Sequence, residues 1–131
     1  MIFPVPLCVP ITWSIDTTGL SHPGRTSVAV GRAFDEWSAA TGLRFQWVSS
    51  GGRVSAVFHP VDPRWLAYAL EDVIVVDPVV ANAVSTYQRE VVAHELGHVL
   101  GLPHGGPGLM GGNATHVMPI DGQAVSIQPC D

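Results

Sequence analysis

Residues 94–104 hold the side chains of this chain whose types and spacing are best suited to chemistry. They follow the pattern H-E-x-x-H-x-x-G-x-x-H. His94 and His98 are four residues apart, so on a helix both imidazoles lie on one face and can reach the same metal ion. Glu95 follows His94 directly, where its carboxylate can accept a proton from a metal-bound water. The pattern therefore predicts a metal site with its own general base.

The same pattern predicts a third ligand from a loop. Gly101 should end the helix, because glycine adopts the left-handed conformation at little cost, and Pro103 prevents the helix from resuming. The chain can then turn back and bring His104 to a third coordination position. Three neutral imidazoles and one water make an open zinc site of the catalytic type, whereas a structural site has four protein ligands. With no cysteine near the motif, we expect one catalytic zinc ion whose fourth ligand is water.

The residues before the motif predict the helix that carries the first two histidines. Apolar side chains recur close to the spacing of a buried helical stripe. They are Val84, Tyr87, Val91, Val92, Leu96, Val99 and Leu100. Ser85 or Thr86 is the candidate N-cap. Gly97 costs a helix interior about 1 kcal/mol relative to alanine, which suggests that a close packing neighbour compensates there.

The rest of the chain predicts a sheet and a further helix. Alternating or continuous apolar residues predict strands, the last of them buried on both faces, at residues 11–15, 43–47, 54–58, 65–70 and 73–76. Thr26 or Ser27 is the candidate cap of a helix that Gly42 ends. We therefore expect one α+β domain over residues 1–131, with a mixed twisted sheet of about five strands, two or three helices and the zinc site at a helix end.

The composition of the chain argues against some classes of partner. Its 131 residues suit one domain with a real core. A net charge of −5 argues against a nucleic-acid partner, and no apolar run approaches the roughly 18 residues of a membrane span. Residues 1–10 do not look like a signal peptide. Cys8 and Cys130 are either two unrelated buried thiols or a disulfide, and the disulfide would indicate an oxidising compartment.

The motif at residues 94–104 resembles that of the metzincin zinc endopeptidases. The order of elements, and residues 8–13, 33–37 and 41–45, resemble the matrixin branch, in particular small actinobacterial domains of the matrix-metalloproteinase type. Secreted proteins of this kind carry a cysteine before the first strand and another near the end, as Cys8 and Cys130 do. The resemblance thus favours the disulfide and an extracellular location.

The resemblance also implies a methionine turn beneath the metal. Met110 and Met118 are the candidates, and residues 121–128 resemble the start of the final matrixin helix. Met118 would leave almost no chain before that helix, so we favour Met110, although its spacing from the motif is shorter than usual. The alternative is that either methionine only packs in the core.

The chain departs from animal matrixins in the loop that holds their second zinc and their calcium. His59 and Asp62 are too few ligands there, and Tyr68 stands where a structural-zinc histidine would be. We expect no second zinc, and calcium binding stays open.

These features predict a zinc-dependent endopeptidase that acts as a monomer on protein or peptide substrates, with Glu95 as the general base. The resemblance further implies a substrate extended along the strand at residues 65–70. The alternative is a catalytically silent zinc-containing binding or structural module of the same fold, or an inhibitor or toxin with a vestigial site. The intact Glu95 argues against both, because a silent site has no need of it.

Overall fold

The computed structural model describes residues 5–6, 8–105, 109–111 and 127–128. Two long helices pack together and against a five-stranded sheet. In chain order the elements are β1 (Val5–Pro6), β2 (Ile11–Asp16), α1 (Pro23–Thr41), β3 (Phe45–Trp47), β4 (Val54–Phe58), β5 (Ala67–Leu70), β6 (Val73–Val76), a 3-10 turn (Pro78–Asn82), α2 (Ser85–Val99), a second 3-10 turn (Leu109–Gly111) and β7 (Ile127–Gln128).

The sheet has the strand order β3-β2-β4-β6-β5. Strands β2, β3, β4 and β6 run parallel, and β5 pairs antiparallel with β6 through the register Ala67↔Val76. The predicted fold class is confirmed, because the chain forms a mixed sheet of five strands with two helices. Strand β5 lies at an edge, and α2 packs close to it.

The core lies between the sheet and the helices. Its largest fully buried side chains include Trp37 and Phe34 of α1 and Leu96 of α2. The ring of Phe34 stacks on Trp13 of β2 with centroids 4.4 Å apart. Each large apolar side chain buried in this way stabilises the fold by roughly 1.5–3 kcal/mol. The core therefore fixes α2, the helix that carries the metal motif, against α1 and the sheet.

The predicted caps of both long helices are wrong. Helix α1 begins at Pro23, in the first turn where proline fits, and Thr26 lies buried inside it. Helix α2 follows Val84, whose side chain makes no capping bond, so neither Ser85 nor Thr86 is the cap. The predicted end of α1 is confirmed, because Gly42 has a φ of +78° and donates its N–H to the Ser38 carbonyl.

The apolar stripe predicted for α2 is only partly buried. Val92, Leu96 and Val99 are buried, but Val84 and Tyr87 are exposed. The buried face instead includes polar residues, among them Gln88, whose amide donates to the carbonyls of Ala81 and Ala83. The helix thus exposes part of its apolar set to solvent, and Tyr87 lines the same groove as the three histidines.

Two further sequence expectations concern a final helix and a membrane span. Ile127–Gln128 form strand β7, parallel to β1, and therefore do not continue a final helix; residues 121–126 lie outside the described residues. No helix of the described segments is both long and apolar enough to cross a membrane.

Candidate metal centre

Three imidazoles converge at the C-terminal end of α2. His94 and His98 project from the helix, and His104 comes from the loop after it. The Nε2 atom of His104 lies 3.2 Å from Nε2 of His94 and 3.2 Å from Nε2 of His98. The ligand atoms of the three residues all lie within 4.8 Å of one another. The structure thus brings together the three histidines that the sequence motif named.

The helix ending is what returns His104 to the other two rings. Gly101 has a φ of +97°, in the left-handed region that favours glycine. Its N–H bonds to the His98 carbonyl, and the Leu102 N–H bonds to the Gly97 carbonyl. This pair of bonds is the Schellman ending of a helix, and it reverses the chain within three residues. The predicted role of Gly101 as the terminating residue is confirmed.

The outer nitrogens of two rings are held by backbone carbonyls. Nδ1 of His94 lies 2.8 Å from the Leu109 carbonyl oxygen, and Nδ1 of His98 lies 2.8 Å from that of Leu102. A carbonyl can only accept, so each Nδ1 carries the proton and each Nε2 presents a lone pair to the centre. A bond from the outer ring nitrogen to a backbone carbonyl is usual for metal-binding histidines. Burial also lowers the pKa of His94, which favours the neutral, ligating form.

The spacing of the nitrogens fits a tetrahedral metal ion. Two ligand nitrogens, each 2.0–2.1 Å from a tetrahedral zinc, lie roughly 3.3 Å apart. The contacts from His104 to the other two rings match that value. If Nε2 of His104 carried a proton, that N–H could donate well to only one of the other two imidazoles. One cation, in contrast, can accept the Nε2 lone pairs of all three rings. The donor set of three imidazoles also suits zinc.

Glu95 lies beside this centre and is 7 % exposed. Burial raises the pKa of Glu95 above its ordinary value, and the electrostatic interaction with the nearby His98 and His104 opposes that rise. Glu95 also contributes to the wall of a groove that contains all three histidines. The structure thus places a partly desolvated carboxyl in the wall of the groove that contains the three histidines.

The packing neighbour expected at Gly97 consists of two side chains. A methyl group at Gly97 would lie 2.5 Å from Sδ of Met110 and 3.1 Å from Cζ2 of Trp37. Trp37 also donates its indole N–H to the Ala93 carbonyl at 2.8 Å, one residue before the first histidine. Met110 and Trp37 therefore pack closely against α2 at Gly97, between His94 and His98. The local sequence pattern could not predict this contact, because Trp37 lies 56 residues from Ala93 in the chain.

An open groove of about 850 Å³ runs past the metal centre, between α2 and the edge strand β5. Its aromatic lining residues are Trp65, Tyr68 and Tyr87, with exposures of 66 %, 45 % and 37 %. Glu71 and Glu90 also line it. The sequence predicted Tyr87 as a core residue, and Trp65 and Tyr68 as part of a strand along which a substrate lies, with Tyr68 also at the position of a missing zinc ligand. It gave Glu71 and Glu90 no role, although Glu90 precedes His94 by one helical turn.

The remaining predicted site residues are only partly described. Cys8 lies just before β2, but Cys130 is outside the described residues, so their disulfide stays a prediction. Met118 is also outside them. His59 is exposed. Asp62 holds the Arg64 guanidinium through two bonds of 3.1 and 2.9 Å.

Comparison with known proteins rests on structure alone. No family model matches the chain, and no curated protein matches its sequence. Two solved structures of myroilysin have a similar fold, both at 21 % identity. One has a TM-score of 0.58 and matches 73 % of this chain and 49 % of its own, and the other has a TM-score of 0.57 and matches 72 % and 44 %.

This chain therefore spans about half the length of the myroilysin chains. At this identity the likeness shows the fold alone, a mixed five-stranded sheet with two helices.

Proposed function

We propose that this chain is a zinc-dependent endopeptidase. The observation that carries the proposal is the convergence of the His94, His98 and His104 Nε2 atoms beside the buried Glu95, at the wall of an open groove. A binding module could use the same three ligands, but it would gain nothing from a desolvated carboxyl at that position. The similar fold of myroilysin supports the proposal at the level of architecture.

The residues of the chain divide the chemistry among them. His94, His98 and His104 would hold the zinc ion, which would supply Lewis-acid polarisation of the scissile carbonyl and a water of lowered pKa. Glu95 accepts a proton from the attacking water and later passes it to the leaving amine. The carbonyls of Leu102 and Leu109 keep two imidazoles oriented throughout.

The substrate is proposed to lie along β5 as an added strand. Strand β5 pairs with β6 on one side, and within the described residues its other edge has no partner strand. The groove follows Ala67, Tyr68 and Ala69 on this strand and reaches the three histidines. An extended peptide that hydrogen-bonds to such an edge gains main-chain affinity without sequence selectivity, which suits a peptidase.

Several finer assignments belong to the same proposal. We assign the chain to a matrixin-like branch, on the element order and on Met110, whose sulfur packs under α2. We also propose that it is secreted, is monomeric and has a Cys8–Cys130 disulfide. The spacing between His104 and Met110 is shorter than is usual in the matrixin branch.

The test is chelator-sensitive digestion of casein and of internally quenched peptides. The zinc-loaded chain should cleave them, and Glu95→Gln should lower kcat/KM by about 10²–10⁴-fold, because a general base contributes that much. Glu36→Gln, on the α1 face that meets Arg89, is the matched control and should retain cleavage.

Zinc content should be the same in all three proteins, measured by atomic absorption. A Glu95→Gln protein that digests as well as the parent chain would exclude the assigned mechanism. A zinc-loaded parent chain that cleaves no peptide would favour the binding or structural module.

A further inference from the structure

Trp37 of α1 contacts the metal-binding helix at two backbone positions, and the proposed reaction uses neither contact. Its indole N–H donates to the Ala93 carbonyl at 2.8 Å. Its ring atom Cζ2 lies 3.1 Å from the position that a Cβ atom at Gly97 would occupy. Ala93 directly precedes His94, and Gly97 directly precedes His98. One side chain therefore packs against the residue before each of the two histidines that the helix supplies.

The hydrogen bond acts on the peptide unit that joins Ala93 to His94. The carbonyl oxygen of Ala93 and the backbone nitrogen of His94 belong to one planar unit, so a donor that holds the oxygen also restrains that plane. In an α-helix the same oxygen is the regular acceptor of the N–H four residues later, which is that of Gly97. A carbonyl oxygen has two lone pairs and can accept both donors. Trp37 thus contacts both ends of the helical turn that separates His94 from His98.

The surroundings make this hydrogen bond selective for one arrangement of the two helices. Trp37 is 1 % exposed, and Ala93 is fully buried. A buried indole N–H without a partner would lose its hydration and gain nothing in return, so a position of α2 that breaks the bond is disfavoured. The packing of α1 against α2 is therefore coupled to the orientation of the turn that carries the ligands.

Trp37 acts on a different part of the ligands from the carbonyls described above. The Leu109 and Leu102 carbonyls hold the imidazole rings of His94 and His98. Trp37 instead holds the backbone from which these rings project. The ring orientation and the helix orientation are thus set by separate contacts, and both are needed for the Nε2 atoms to face one ion.

We propose that Trp37 is a positioning residue for the metal centre, and that its indole N–H, rather than its bulk alone, sets the orientation of the turn from Ala93 to His98. Trp37 does not touch the metal or the substrate but acts through His94 and His98. The inference rests on the zinc site of the proposed function and does not depend on peptide cleavage. It predicts that metal affinity and coordination geometry change when only the indole donor is removed.

The experiment replaces Trp37 by benzothienylalanine, which keeps the two fused rings and has sulfur in place of the indole N–H. Zinc affinity is measured by competition with a chromophoric chelator, in protein whose metal-free form is folded by circular dichroism. The Kd for zinc should rise by about 10–100-fold, the loss that follows removal of an outer partner of a metal ligand. A role in stability alone would leave this Kd unchanged, because the binding-competent folded form is fully populated in both proteins.

Trp13 provides the matched control, because it is a second tryptophan of the same core. It is 8 % exposed, and its ring stacks on Phe34 of α1. The same replacement at Trp13 should leave the Kd for zinc at the parent value. An unchanged Kd after replacement of Trp37, or an equal rise after replacement of either tryptophan, would overturn the inference.

A second measurement compares the loaded proteins, and it applies even if a replaced chain folds only with metal. Co²⁺ in place of zinc has visible absorption bands whose position and intensity depend on the geometry of its ligands. At saturating Co²⁺ these bands should change after replacement of Trp37 and match the parent chain after replacement of Trp13. Identical bands in all three proteins would show that the turn keeps its orientation without the indole N–H, and would overturn the inference.

Failure of the endopeptidase proposal gives a different result. If the parent chain binds zinc and cleaves no peptide, the changes in Kd and in the Co²⁺ bands still support the role of Trp37. If the parent chain binds neither zinc nor Co²⁺, this inference is overturned together with the proposed function.

Discussion

Gly97 is the residue at which the metal-binding helix, α1 and Met110 meet. A methyl group there would lie 2.5 Å from Met110 Sδ and 3.1 Å from Trp37 Cζ2, both closer than ordinary van der Waals contact. Gly97→Ala should therefore lower the free energy of unfolding by about 1–2 kcal/mol, because overpacking costs more than the roughly 1 kcal/mol that alanine gains in a helix. Urea denaturation measures this difference.

Gly31 provides the matched control inside α1. A methyl group there would meet Trp13 at 3.7 and 3.8 Å, which is ordinary contact. Gly31→Ala should consequently leave stability unchanged or raise it by up to about 1 kcal/mol. If both alanines stabilise the protein equally, the contact between Gly97, Met110 and Trp37 does not limit the packing of the metal-binding helix.

At the scale of single residues, the sequence predicted those contacts that depend only on short-range backbone geometry. His94, His98 and His104 meet because helix periodicity and a glycine-terminated turn leave few other outcomes over eleven residues. Trp37 could not be found in that way, because its contact with Ala93 depends on how two helices pack.

Among the elements, the 3-10 turn Pro78–Asn82 begins after Asp77, whose carboxylate accepts backbone N–H groups from the turn and from the loop at Val61. Asp77 accepts the Val79 N–H at 2.9 Å and the Val61 N–H at 3.1 Å. These two bonds lower the pKa of Asp77, the Val79 bond being the stronger cause. The carboxylate therefore contributes stability above its ordinary pKa of 3.8, and this contribution is lost as the pH falls through the lower folded-state pKa.

Asp77→Asn should therefore lower the Tm modestly near neutral pH, because the neutral amide accepts the two N–H groups less strongly. The Tm difference between the parent chain and the variant should shrink as the pH is lowered from about 5 towards 3. Circular-dichroism melting at several pH values measures it. A difference that stays constant down to pH 3 would show that the charge on Asp77 plays no part.

At the scale of the elements, the strands could be predicted from the alternation of apolar and polar residues. The first residues of the helices could not be predicted in this way. Pro23 begins α1 without a side-chain cap, and Val84 precedes α2 with an extended backbone, so tertiary packing replaced the capping bonds expected at Thr26 and Ser85. The position of β5 at the sheet edge was likewise set by long-range pairing with β6, which local pattern does not encode.

For the molecule as a whole, the proposed zinc ion should act as a stabilising ligand. A metal that binds only the folded chain raises the free energy of unfolding by about 4 kcal/mol at a thousandfold excess over its Kd. This corresponds to a rise in Tm of roughly 10 °C or more for a domain of this size. Differential scanning fluorimetry with EDTA, and after zinc is restored, measures the shift.

The zinc response should disappear in His98→Ala and persist in His22→Ala, where the imidazole is exposed and distant from the motif. An equal zinc-dependent shift in both variants would place the bound ion elsewhere on the chain.

The proposed Cys8–Cys130 disulfide would close nearly the whole chain into one loop. In the chain-entropy model such a loop contributes roughly 4–5 kcal/mol to stability. Thiol titration of the denatured protein should find no free thiol before reduction and two after it, and reduction should lower the urea midpoint. Two titratable thiols in protein purified from an oxidising medium would refute the bridge.

The pairing of β1 with β7 has a consequence for the order in which the molecule is completed. Val5–Pro6 and Ile127–Gln128 stand side by side although almost all of the described chain separates them. During ribosomal synthesis β1 emerges first, yet its partner strand emerges only after α2 and the metal motif have been translated. This two-stranded ladder therefore cannot guide early folding, since closing so long a loop costs entropy that only the assembled core can offset.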